Sequence, residues 1–184
     1  MRHPRSPHWY AKDYQRHLDI PEKLISWLMD VDSLTARLTC ACDGEFSVRL
    51  LRQYRSRPDP SESRALGLRL GEGVLAREVQ LLCNNVPWVF ARSVIPNKTL
   101  SGRHRRLKHL GESPLGAYLF KEKNMKREAV ELACLTPAHQ LFALATEKNT
   151  AKNAAAIWGR RSLFRLSGKP ILVSEFFLPD IAAT

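Results

Sequence analysis

Two charged residues interrupt runs that are otherwise apolar. Glu175 sits inside "ILVSEFFL" at 171–178, and Arg77 sits inside "VLAREVQLL" at 74–82. Both runs have the length and the β-branched or aromatic content of strands. Side chains alternate along a strand, so Glu175 shares a face with Ile171, Val173 and Phe177, while Leu172, Ser174, Phe176 and Leu178 take the other. The same parity groups Arg77 with Leu75, Val79 and Leu81, and assigns Glu78 and Gln80 to an opposite, polar side. Arg92 in "WVFARSVIP" falls with Trp88, Phe90 and Val94 and is a weaker third candidate. A charge aimed at an apolar face must be paired, hydrogen-bonded or used. An arginine fork and a carboxylate in one apolar cavity suit a small anionic ligand, with the guanidinium as clamp and the glutamate as acceptor or acid. A structural ion pair buried in the core fits the same residues, and spacing alone leaves both readings open.

The elements that must position this pair follow from the pattern on either side. "PEKLISWLMD" (21–30) spaces Leu24, Trp27 and Leu28 helically, with Pro21 placed to open the helix. "DSLTARL" (32–38) predicts a second short helix capped by Asp32 or Ser33. "FSVRLLRQY" (46–54) alternates as a strand, and "RSRPDPSES" (55–63) is expected to be an exposed loop. Residues 74–96 predict two strands around "NNVP", followed by a helix across "RHRRLKHL" and a turn with a short apolar segment in "GESPLGAYLF". The stretch 121–156 is rich in Ala, Lys and Glu and predicts helix broken at "LTPAH". Two final strands, "SLFRLS" and "ILVSEFFL", join at a tight "GKP" turn. Strands linked by hairpins with helices between them predict an α+β fold with a mainly antiparallel sheet, in one domain over 1–184 behind a polar segment at 1–19.

Composition narrows the functional classes. The chain has 184 residues, 44% hydrophobic and 26% charged, an ordinary globular mixture. No apolar run approaches the roughly 20 residues of a membrane span. The basic, polar start "MRHPRSPHWYAKDYQRH" has no apolar signal core, so a cytoplasmic protein is expected. Cys40, Cys42, Cys83 and Cys134 are then expected as free thiols, and neither "CAC" nor the histidine spacing suggests a metal site. The net charge of +11 favours an anionic partner. Its densest cluster, "SGRHRRLKH" at 101–109, lacks the aromatics of a stacking platform, and no zinc-finger or RNA-recognition signature accompanies it, so nucleic acid is not the expected partner.

Several segments together resemble the chorismate lyase family, the bacterial enzymes that make 4-hydroxybenzoate for ubiquinone synthesis. They are "LISWLMDVDSLTARL", "REVQLLCNNVPWVFARSVIPNKTLSG", "LGESPLGAYLF" and "WGRRSLFRLSGKPILVSEFFLP", in that order from about residue 20 to the end. The resemblance implies an antiparallel sheet with helical flaps over an internal cavity, a single substrate, no cofactor and a monomer. It carries the family's ligand arginine onto Arg77, its glutamate onto Glu175, and two further ligand positions onto Leu34 and Leu115. The leucines would contribute backbone N–H groups and packing; Leu34 stands where the family often has methionine.

Chorismate holds a ring carboxylate, a hydroxyl and an enolpyruvyl ether on a cyclohexadiene. Loss of the ether side chain and a ring proton makes the ring aromatic, so the protein mainly needs to hold the dianion in a reactive pose and stabilise the departing oxygen. Arg77 is expected to clamp an anion and Glu175 to meet the ring hydroxyl, as a protonated acid if burial raises its pKa. Cys83 is expected as a packed thiol, not a nucleophile. The longer 121–156 connection departs from the family pattern. A contrasting reading is an effector-binding module, since the fold also serves in bacterial transcription regulators; their winged-helix domain has no counterpart in the 20 or so residues before the first matched helix.

Overall fold

The computed structural model describes residues 6–69, 71–147 and 154–183. Eight strands form one antiparallel sheet: β1 (Tyr10–Ala11), β2 (Phe46–Ser56), β3 (Val74–Cys83), β4 (Val86–Pro96), β5 (Met125–Arg127), β6 (Glu131–Leu135), β7 (Ile157–Leu166) and β8 (Lys169–Phe177). Their order is β1-β6-β7-β8-β4-β3-β2, with β5 pairing with β7. Five α-helices accompany them among the described residues: α1 (Glu22–Met29), α2 (Leu34–Ala41), α3 (Pro60–Leu66), α4 (Leu115–Leu119) and α5 (Gln140–Thr146). The architecture is α+β, with helices on both faces of an open sheet.

Two tight hairpins fix the central register. Asn84 and Asn85, with φ of 48° and 65°, turn β3 into β4; Ser167 and Gly168, with φ of 50° and 84°, turn β7 into β8. Asparagine and glycine tolerate this left-handed region, and such turns match the twist of paired strands. The parity expected of Arg77 and Glu175 holds, and both face the side covered by α1, α2 and α4. Leu24, Trp27, Leu28, Leu34 and Leu38 pack there on Val79, Leu81 and Phe177, and Leu115 and Leu119 pack on Leu75, Ile95 and Val173.

Four expectations are corrected. The face of β3 opposite Arg77 is polar but not solvated. Glu78 and Gln80 are fully buried, because α3 and α5 cover that face through Leu66 and Phe142. Arg92 also lies there, ion-paired to Glu62 at 2.7 Å and Glu78 at 2.6 Å, and so belongs to a structural network. A register shift leaves Trp88 between the pairs Leu81–Val89 and Leu82–Pro87, and its side chain packs in the cluster of Leu24 and Leu28, away from Arg92. Second, the exposed loop predicted at 55–63 turns into α3, opened by a reciprocal capping box between Asp59 and Glu62.

Third, the 121–156 connection is not simply helical. It holds β5, β6 and only the short α5, with 148–153 outside the described residues. Pairing with the exposed edge of β7 outweighs the helical propensity of its Ala, Glu and Lys residues. Fourth, Cys42 and Cys83 form a disulfide with Cα atoms 5.6 Å apart, while Cys40 and Cys134 are free. The end of α2 packs across the end of β3, which brings together residues 41 positions apart. The helix across "RHRRLKHL" is present as a 3-10 helix, Gly102–His109. No described helix is long and apolar enough to cross a membrane.

Candidate active site

A cavity lies between the sheet and the helices α2 and α4. Its floor exists because β4 presents small side chains there, Ala91 and Ser93, between Val79 on β3 and Val173 on β8. Arg77 pairs across β3–β4 with Ser93, and Glu175 pairs across β4–β8 with Ala91. Two strand spacings and a two-residue offset put the Arg77 and Glu175 Cα atoms about 12 Å apart.

Arg77 and Glu175 each have another partner. Arg77 is 1% exposed, and its Nη2 donates to the carbonyls of Gly111 at 2.8 Å and Ser113 at 3.0 Å. Those bonds aim the guanidinium without neutralising it. Its Nε is buried with no partner among the described residues. Burial pushes the Arg77 guanidinium below its ordinary pKa, yet arginine stays charged at neutral pH. Glu175 is met by Arg160, whose Nε donates to Oε2 at 2.7 Å. The ion pair leaves Glu175 Oε1 as the acceptor available to a ligand hydroxyl, so the acceptor role is the one this geometry favours.

Leu34 and Leu115 both line the cavity, each as the first residue of its helix. Backbone N–H groups at that position have no acceptor within the helix. The Ser33 hydroxyl caps α2 by accepting from Ala36 N–H at 3.4 Å. The two helices meet over the cavity at Thr35 and Gly116. A Cβ on Gly116 would stand 2.8 Å from the Thr35 hydroxyl oxygen, so any larger residue requires Thr35 or one of the helices to shift. The roof is thus two helix starts closed on each other. Among the described residues, no group of three or more His, Cys, Asp or Glu is placed to hold a metal ion.

Comparison with known proteins decides the family. The sequence model described as chorismate lyase matches residues 8–183. The chain belongs to the chorismate lyase family. A probable chorismate pyruvate-lyase of Methylococcus capsulatus is 43% identical over 156 residues, covering 85% of this chain and 94% of that protein. One from an Azoarcus species is 42% identical, covering 98% of this chain and 96% of its own length. The chorismate pyruvate-lyase of Erwinia tasmaniensis is 33% identical, with 85% and 78% covered. Solved structures extend the likeness of fold. The effector domain of PhnF from Mycobacterium smegmatis superposes with a TM-score of 0.58 at 13% identity, covering 83% of this chain and 91% of that one. A GntR-family regulator from Bacillus cereus gives 0.55 at 13% identity, with 74% and 94% covered.

Within this family fold, the cavity holds two arginines that inspection of strand parity misses. Arg160 is fully buried; besides Glu175 it binds the carbonyls of Trp27 at 2.8 Å and Asp30 at 2.5 Å, at the end of α1. Arg127 on β5 gives Nε to the Ser162 hydroxyl at 3.0 Å and Nη1 to the Val31 carbonyl at 2.8 Å. A signal for Arg160 is present in the sequence. Counting back from the Ser167–Gly168 turn pairs Leu166 with Lys169 and, six steps later, Arg160 with Glu175. Arg127 has no such signal, because its strand exists only by pairing with β7.

Proposed function

We propose that this chain converts chorismate to 4-hydroxybenzoate and pyruvate without metal or organic cofactor, supplying the aromatic acid for ubiquinone synthesis. The observation that carries the proposal is a roofed cavity with a fixed, underneutralised guanidinium at one side of a small-residue floor and a carboxylate at the other. In this reading Arg77 clamps the ring carboxylate, with its free Nε as a donor. Glu175 accepts from the ring hydroxyl through Oε1. Leu34 and Leu115 bound the ring with their side chains and offer backbone N–H groups. Fixing the ring at both ends holds the C–O bond in one pose, and the gain of aromaticity supplies the driving force. Exclusion of water by α2 and α4 strengthens both charged contacts. The names of the relatives support the same activity. The chain is proposed to act as one domain, as a monomer in the cytoplasm, on a soluble dianion that its basic surface attracts.

The test is to mix the purified protein with chorismate in the presence of a chelator and follow both products by chromatography. Equal yields of 4-hydroxybenzoate and pyruvate, lowered at least about a hundredfold by Arg77→Ala and by Glu175→Ala, are expected. The structural likeness to regulator effector domains favours a second reading, binding without bond cleavage. Saturable binding of chorismate with no pyruvate released would establish that reading and end the first.

A further inference from the structure

The cavity carries more positive charge than one carboxylate requires, and the excess is at one end. Arg77, Arg127 and Arg160 line it against Glu175; Asp32, at its mouth, is exposed. Arg160 Nη2 is buried with no partner among the described residues. Its Nε and Nη1 are fully engaged by Glu175, Trp27 and Asp30, so Nη2 is the one nitrogen left for a ligand. Arg127 stands close enough for the two cations to oppose each other. Burial first, and the Arg160 charge second, push the Arg127 guanidinium below its ordinary pKa, while Glu175, Asp30 and Asp32 act the other way. Two adjacent guanidiniums in a partly buried pocket attract an anion.

We propose that Arg127, together with Nη2 of Arg160, binds the second carboxylate of the substrate, the one on the enolpyruvyl side chain. This rests on the reading above and follows from substrate connectivity. The ether is on the ring carbon next to the one bearing the hydroxyl. With the ring carboxylate at Arg77 and the hydroxyl at Glu175, the side chain must fall at the Glu175 end, where Arg160 and Arg127 stand. The cavity is then a two-anion site. Three cations and one carboxylate leave two positive charges for a dianion. The leaving group departs with the charge that Arg127 and Arg160 hold, whereas the ring acid stays with Arg77. Arg127 and Arg160 also bind carbonyls at Asp30 and Val31, in the connection between α1 and α2. The second subsite therefore sits beside the connection that leads into α2, one of the two roof helices.

Two ring acids that differ only in the charge of the side chain test this: 3-(carboxymethoxy)-4-hydroxybenzoate and its neutral counterpart 3-ethoxy-4-hydroxybenzoate, with 4-hydroxybenzoate as reference. The parent protein is expected to bind the dicarboxylate about tenfold or more tightly than the ethoxy compound. Arg127→Gln is expected to remove that preference while changing 4-hydroxybenzoate affinity less than about twofold, and to raise the chorismate KM about tenfold with a smaller change in kcat. Equal affinity of the parent for the two ethers overturns the proposal even if the variant does not fold. Equal weakening of all three ligands by Arg127→Gln also overturns it, because that is what a general structural role produces. A parent that binds the dicarboxylate selectively but releases no pyruvate would sink the lyase reading and leave the two-anion site standing.

Discussion

The Arg160–Glu175 pair offers the sharpest quantitative test, because stability and site geometry meet in it. Arg160→Met removes the ion pair and the two carbonyl contacts to Trp27 and Asp30. Charge-assisted hydrogen bonds contribute roughly 1.5–3 kcal/mol each but do not add. Loss of one member of a buried pair costs about 3–5 kcal/mol, since the remaining charge stays desolvated. With the Glu175 side chain 16% exposed, partial hydration relieves it, so the expected cost is about 4 kcal/mol, not the upper limit. Glu175→Gln keeps an oxygen for Arg160 Nε but leaves the fully buried Arg160 charge without its carboxylate, so it should cost about 3 kcal/mol. The double variant leaves no orphaned carboxylate, so it should be more stable than the sum of the singles by about 1 kcal/mol or more. Urea unfolding measures this. At a slope of about 2 kcal/mol per molar, Arg160→Met should lower the midpoint by about 2 M with the slope unchanged. A loss below about 1 kcal/mol, or strict additivity of the two substitutions, would refute the pairing as the answer to the Glu175 charge.

Three further outcomes are expected. Gly116→Ala should force α4 from α2 at Thr35, an overpacking cost of about 1–2 kcal/mol that weakens 4-hydroxybenzoate binding roughly tenfold; adding Thr35→Ala, which removes the clashing oxygen, should restore affinity, as calorimetry would show. Reducing the Cys42–Cys83 disulfide, or replacing it by Cys42→Ser/Cys83→Ser, should cost up to about 4 kcal/mol by loop-closure entropy and lower Tm by about 10 °C; an unchanged Tm under reductant would mean that the bond contributes nothing. His104, whose Nδ1 lies 2.8 Å from the Tyr118 hydroxyl on α4, has its pKa held below the ordinary 6.5 by burial, with Glu122 opposing and Arg103, Lys169 and Arg106 adding to the effect. The unfolded chain thus binds the proton more readily, so this contribution is complete above pH 6.5 and is lost as pH falls through the folded-state value. His104→Gln should flatten the pH dependence of the urea midpoint in that window, and an undiminished slope would exclude His104 as its source.

The local facts of the site were legible in the residues. Strand parity is a property of the backbone with a period of two, so Arg77 and Glu175 could each be assigned to the apolar face of its own strand without any tertiary information. Helix starts at Pro21 and Ser33 and the hairpins at "NNVP" and "SGKP" are equally local, since they rest on φ preferences and caps. The resemblance carries two ligand positions onto Leu34 and Leu115, and both residues line the cavity.

The hairpin register at "SGKP" already sets Arg160 opposite Glu175, but only the tertiary structure decided that Arg77 does not reach the same carboxylate. Glu175 is answered by Arg160 because β7 lies beside β8, whereas Arg77 lies beyond β4 and holds only the carbonyls of Gly111 and Ser113. Glu78 and Gln80 read as a polar face, and Arg92 as a third candidate for the site, until α3 and α5 cover that side of the sheet. Residues 125–135 read as helix until the open edge of β7 offers them hydrogen bonds. The disulfide likewise needs the end of α2 laid across β3. The physical reason is the range of the interactions. Side-chain alternation and turn conformation are set by neighbours along the chain. Desolvation, ion pairing and strand addition depend on what packs across a face, which no local pattern encodes.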